Sequence, residues 1–230
     1  MTLRAGARYY QAMPRTVLLT EGDSPLGGAL TRLLLERGCS VVTAVDRAET
    51  SAGVPAPAGR AVAVAWNRRS PVSSRTLLLT ALNAFPRLDD VLILEPACAA
   101  ARALVEAESA AVEKAFDDAR GPVFLAREIL AHFRKDGGGV LCLVSRGRAL
   151  GAVESGMREL FRGVATALFA EAGSGSPVVN GFQQGDADAE EYAAFIDRTL
   201  EDKARKIAGR WFTCPGRGGL FQAVRPPKRG

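Results

Sequence analysis

Short β-rich runs alternate with longer segments of helical period along nearly the whole chain, and this alternation limits the fold more than any single motif. It begins at Thr16–Leu19, a strand that enters a turn over residues 21–28. The helix that follows reads ALTRLLLERG, with apolar residues at helical spacing and Gly38 as its stop. Ser40–Val45 is a second strand ending at Asp46, so the segment is a βαβ unit whose parallel strands need a right-handed crossover. The same reasoning predicts strands over Ala61–Ala65, Asp90–Leu94, 140–144, 177–181 and 210–214, and helices over 73–85, 105–135, 154–172 and 189–207. The implied architecture is α/β, a doubly wound parallel sheet with ligands expected beyond the strand carboxyl ends.

With 230 residues, one domain is expected, over 16–219, flanked by an N-terminal tail of 1–15 and a basic C-terminal tail of 220–230. Residues 47–60, rich in Ala, Pro and Gly, read as a surface loop. Hydrophobic residues make up 47% and charged residues 24%, the balance of a soluble globular protein. The net charge of +5 owes much to Arg4, Arg8, Arg15, Arg225, Lys228 and Arg229 near the ends. No basic stripe with interleaved aromatics occurs between them, so a nucleic-acid face is not expected. Cys39, Cys98, Cys142 and Cys214 form no CxxC or Cys/His cluster, and His132 is the only histidine, so no metal site is expected and a reducing cytoplasm fits. No apolar run has membrane-spanning length, and no membrane partner is expected.

The first turn, LLTEGDSPLGGAL, resembles the cofactor loop of short-chain dehydrogenases/reductases, T-G-x-x-x-G-[IL]-G. Thr20, Leu26 and Gly27 match, while Glu21 and Pro25 stand where the first two glycines belong. The resemblance implies a Rossmann-type fold and an NADP or NAD cofactor against Thr20, Gly22, Ser24, Leu26 and Gly27, with Asp46 and Arg47 at the adenosine ribose. Glu21 brings a carboxylate toward the diphosphate and Pro25 removes an N–H donor, so binding is expected to be weak or lost unless Gly22, one position late, restores part of the turn.

Further segments extend the likeness. DDVLILEPA keeps the strand of D-V-L-V-N-N-A-G but not the motif. FDDARGPVFL resembles V-N-x-x-G-P-F and places Asp118 at the relay asparagine. VLCLVSRGRALG resembles I-V-N-I-S-S-x-x-G and places Ser145 at the serine that orients substrate. GVATALFAE is similar to G-L-T-R-A-L-A-x-E, and counting back from Gly163 sets Glu154 and Arg158 where the family has its catalytic Tyr and Lys. A carboxylate is no substitute for a phenol of matched pKa, and arginine stays protonated, so the pair reads as an i,i+4 ion pair on the helix surface. After SPVVNGFQQG the family's long substrate lid is missing, while IAGRWFTCPGRGG resumes the family's close.

A retained scaffold with altered site positions implies a divergent, non-catalytic subunit of a hetero-oligomeric NAD(P)-dependent oxidoreductase. Its partner is expected to be a catalytic paralogue, paired through helices 105–135 and 154–172. The pattern is similar to the paired oxidoreductase subunits of bacterial antibiotic pathways. Two other readings stand beside it: a stand-alone NADP(H)-dependent ketoreductase working without the tyrosine, and a non-redox binding or cyclase-type protein on the same fold.

Overall fold

A computed structural model of the chain describes residues 14–46, 59–98, 103–173 and 177–216. Most of both expected tails, nearly all of the loop at 47–60, and Arg47 lie outside the described residues. The strands are β1 (Thr16–Leu19), β2 (Ser40–Val45), β3 (Ala61–Ala65), β4 (Asp90–Leu94), β5 (Val140–Ser145), β6 (Val178–Gln183) and β7 (Trp211–Thr213). All pair in parallel in the order β3-β2-β1-β4-β5-β6-β7. The order reverses between β1 and β4, and the crevice that opens there is where a doubly wound sheet takes ligands.

Alternation of side chains across each strand divides the core. Val17, Leu19, Val41, Leu92 and Val144 face α1 (Pro25–Glu36) and α5 (Ala189–Thr199). Leu18, Val42, Ile93, Leu141 and Leu143 face α2 (Pro71–Ala84), α3 (Ser109–Lys135) and α4 (Ala152–Ala172). Central strands covered on both faces read as continuous apolar runs, as VVTAV and VLILE do. No helix among the described residues is long and apolar enough to cross a membrane.

Helix starts follow their capping chemistry. Ser24 caps α1 with Pro25 in its first turn, Ser70 caps α2 ahead of Pro71, and Asp188 and Glu191 form a reciprocal box at the start of α5. Four elements depart from expectation. Helix α1 starts at Pro25, inside the stretch expected to be a turn, because Ser24 caps it there. A 3₁₀ turn at Leu104–Glu106 precedes α3, which starts at Ser109 instead of residue 105. Strand β6 runs on to Gln183 and pairs with Ser145 of β5 and Thr213 of β7.

The helix expected over 189–207 ends at Thr199 and continues as a π turn, Leu200–Ala204. Asn180, fully buried on β6, draws that turn in by donating from Nδ2 to the carbonyls of Ala204 (2.8 Å) and Ile207 (2.6 Å). Only residues 184–188 connect β6 to α5, so no substrate lid lies between them. Gln184 fixes this short link by accepting from the Gly147 N–H (2.9 Å) and donating to the Ala187 carbonyl (2.7 Å).

Candidate functional site

The carboxyl ends of β1, β2, β4 and β5 and the loop after β3 bring a set of charged side chains into the crevice. Thr20 leaves β1 and works structurally: its N–H donates to Leu92 and its hydroxyl accepts from Leu94 N (2.8 Å), tying β1 to β4. Glu21 then takes a left-handed backbone with φ 57°, which costs an L-residue with a Cβ about 1–2 kcal/mol. The positive φ therefore falls on Glu21 itself. Gly22 is not left-handed and its N–H donates to Ala44 O, so it does not rebuild the turn as the sequence suggested.

The start of α1 is closed by its own loop. Ser24 N–H and Oγ both donate to Glu21 O (2.9 and 2.7 Å), Gly27 N–H donates to Ser24 Oγ (3.0 Å), and Gly28 N–H donates to Ser24 O (2.8 Å). Gly27 permits this fold-back, since a Cβ there would stand 2.0 Å from Glu21 O. Leu26 is buried in the core.

From Glu21 a chain of ion pairs runs across the crevice. The Glu21 side chain, 6% exposed, accepts from Arg68 Nε (3.0 Å) and Nη2, and Arg68 Nη1 also pairs with Asp46, whose side chain is 53% exposed. Gly121 of α3 gives Arg68 its place, because a Cβ there would lie 2.6 Å from Arg68 Cβ. Arg146 Nη2 stands 3.6 Å from the other Glu21 oxygen, while its Nε donates to Glu95 O (2.8 Å). Glu95 accepts from Ser145 Oγ (2.8 Å), Arg146 N–H (2.9 Å) and Arg158 Nε (2.9 Å). Arg158 Nη2 reaches Glu154 (3.2 Å), which also accepts from Leu150 N–H (2.7 Å).

Burial pushes the Glu21 carboxyl above its ordinary value, and the facing Arg68 and Arg146 guanidiniums limit the rise.

The structure brings Thr20, Gly22, Ser24, Leu26, Gly27, Asp46, Ser145, Glu154 and Arg158 to the same edge of the sheet. Glu154 and Arg158 do pair, but not on the helix surface: the Arg158 side chain is 8% exposed and turns inward to Glu95. Its physical reason is that Glu95, at the end of β4, supplies a buried carboxylate that a buried guanidinium needs. Asp118 pairs with Lys114 one turn back on α3 and faces two hollows instead of the ion-pair chain. One of them, about 30 Å³, lies between α3 and α4 and is walled by Pro96, Cys98, Met157 and Phe161.

Sequence reasoning missed Glu95, Arg68 and Arg146 as site residues. EPA and SRG carried the signal, being charges set directly after buried strands. It also missed Tyr192, the sole tyrosine among the described residues. Its hydroxyl donates to Ser145 O (3.0 Å), and burial raises that phenol far above its ordinary range, so it serves as a core hydrogen bond. No group of three metal-ligating side chains occurs among the described residues.

No family model matches the chain, and no curated protein matches it. Solved structures do. A 3-ketoacyl-(acyl-carrier-protein) reductase from Brucella melitensis, complexed with NADH, superposes with a TM-score of 0.76 at 16% identity, over 86% of this chain and 96% of that one. Levodione reductase gives 0.75 at 15%, over 86% and 95%. ElxO with NADP bound gives 0.75 at 15%, over 88% and 97%. These likenesses show the fold, which is the Rossmann-type fold of the short-chain dehydrogenases/reductases.

At the switch point, part of the donor set that a dinucleotide would use is taken up by the protein itself. A diphosphate at this place needs free N–H donors and positive charge. Here the Ser24, Gly27 and Gly28 N–H groups bond within the loop, the Gly22 N–H bonds to Ala44 O of β2, and the buried Glu21 carboxylate accepts from Arg68 and stands 3.6 Å from Arg146 Nη2, a buried atom with no hydrogen-bond partner of its own.

Proposed function

We propose that this chain is a redox-inactive subunit of a hetero-oligomeric NAD(P)-dependent alcohol or ketone oxidoreductase, in which a catalytic paralogue of the same fold carries the hydride-transfer site. The observation that carries this reading is the Glu95–Ser145–Arg158–Glu154 set, a satisfied ion-pair network at the positions where the family's chemistry is expected. General acid catalysis needs a group of matched pKa within reach of the substrate oxygen. Arginine holds its proton, and the Ser145 hydroxyl, 2% exposed as a residue, directs its hydrogen at Glu95. The commitment of the loop donors extends the same reading to the cofactor, which this subunit does not hold in usable form.

The partner is assigned to the outer face of α3 and α4. Phe116, Val123 and Leu160 are 55%, 42% and 45% exposed and line one open hollow of about 420 Å³ together with Ala119 and Phe124. A second hollow of about 310 Å³ shares Val123 and continues along the same helix seam past Ala126, Val164 and Leu168. Large apolar side chains gathered on one face, with small residues between them, suit close helix packing against another chain. The motif pattern likens the pair to the coupled oxidoreductase subunits of bacterial antibiotic pathways, and that class of pathway is part of the proposal.

Co-expression with each short-chain dehydrogenase/reductase encoded near this gene tests it. One of them is expected to co-purify in fixed stoichiometry and to hold dinucleotide-dependent activity. Phe116→Asp combined with Leu160→Asp should release it while this chain keeps its far-ultraviolet circular dichroism. Failure of every such enzyme to bind, or turnover of a ketone by this chain alone, contradicts the reading.

A further inference from the structure

The geometry points to Glu21 as an internal stand-in for the diphosphate of a dinucleotide, so that the crevice is shut from within by a contact that one substitution removes. Two guanidiniums from separate loops converge on this carboxylate: Arg68 through Nε at 3.0 Å and Nη2, and Arg146 through Nη2 at 3.6 Å. Each arginine also holds a strand end, Arg146 through Glu95 O after β4 and Arg68 through Asp46 after β2. Arg68 comes from the loop after β3 and Arg146 from the turn after β5, and both reach inward over the carboxyl edge of the sheet to an anion that sits where β1 turns into α1.

The same place in the fold is where a doubly wound sheet receives ligands, and two of the superposed structures hold NADH and NADP. Arginine is the residue suited to both carboxylate and phosphate, because its planar fork matches either. An attached carboxylate competes with a free phosphate at an effective concentration that a micromolar ligand does not match. The left-handed backbone of Glu21 belongs to the same device: an unfavourable φ persists at a side chain with a Cβ only where its surroundings hold it there, and the two guanidiniums do so.

Glycine at position 21 takes away the carboxylate and the strain together. It leaves Arg146 without a carboxylate partner and frees Nε and Nη2 of Arg68, whose Nη1 still pairs with Asp46 at the end of β2. The site so opened is for a phosphate-bearing ligand, with NADPH, NADH and inorganic pyrophosphate as probes.

This inference rests on the reading that the wild-type chain holds no dinucleotide. The experiment is an equilibrium titration of wild type, Glu21→Gly and Glu21→Asn with NADPH, NADH and pyrophosphate, followed by tryptophan fluorescence and thermal shift. Asn tolerates the left-handed region and keeps the turn without the charge. Wild type is expected to show no saturable binding, and both variants to gain affinity for NADPH by at least tenfold, with pyrophosphate raising their melting temperatures alone. Adding Arg68→Met to Glu21→Gly should abolish the gain, which separates capture of phosphate from mere loosening of the loop. Folded variants that bind no better than wild type overturn the inference and leave the proposed function standing. Saturable binding by wild type overturns both. Failure of Glu21→Asn to fold also counts against it, since the carboxylate would then be holding the fold and not closing a site.

Discussion

Glu21 illustrates how a single side chain sets the character of this crevice, and its titration gives a test that does not depend on any ligand. Burial holds the folded carboxyl above its ordinary value of 4.5, so the native state binds a proton more readily than the unfolded chain in the interval above 4.5. Its contribution to stability is fully present below that value and is lost as pH rises through the raised folded pKa. Asparagine does not titrate. The melting temperature of Glu21→Asn should therefore gain on wild type as pH climbs from about 4.5 toward neutrality, and thermal unfolding from pH 4 to pH 8 reads this as a slope in the difference between the two proteins. A difference that stays flat contradicts a raised carboxyl.

Glu21, Pro25, Glu154 and Arg158 were legible in the sequence because each sits inside a short motif. Their partners were not. Arg68 lies 47 residues from Glu21, and Arg158 lies 63 from Glu95, and only the sheet order brings them together. Local spacing favours the i,i+4 reading of Glu154 and Arg158. The tertiary partner at Glu95 turns that helix-surface pair into a buried one.

At the scale of elements, strand positions followed from runs of apolar β-formers and agree closely with the structure, while helix ends depended on contacts that no periodicity carries. The clearest case is the segment after α5. Its pattern continues as a helix, yet the backbone opens into a π turn because Asn180 claims the Ala204 and Ile207 carbonyls and accepts from Arg210 N–H (3.0 Å). Asn180→Ala removes two donated bonds and an accepted one at a fully buried position. A loss of about 2–3 kcal/mol is expected, a fall in Tm of roughly 5–10 °C by calorimetry. An unchanged Tm would mean that the turn is held by packing alone. The same segment places Arg205 against the buried Asp90 at the opposite end of the sheet, with both carboxylate oxygens at 2.6–2.7 Å, so the π turn also closes the bottom of the core.

Across the whole molecule, two different kinds of information separate. The layered α/β architecture is over-determined: among the described residues, seven parallel strands, two core layers and capped helices all agree with the alternation of the sequence, and solved enzymes near 15% identity share it. The crevice is specified by a handful of charges, and these are paired with one another. Calorimetric titration of the purified wild-type chain with NADPH, and then with NADH, tests that difference most directly. Heats that stay at the level of dilution up to high micromolar cofactor are the expected result, with Glu21, Glu95, Arg68 and Arg146 remaining paired. Saturable binding at micromolar concentration of either cofactor would contradict it and return the chain to the dinucleotide-dependent enzymes whose fold it shares.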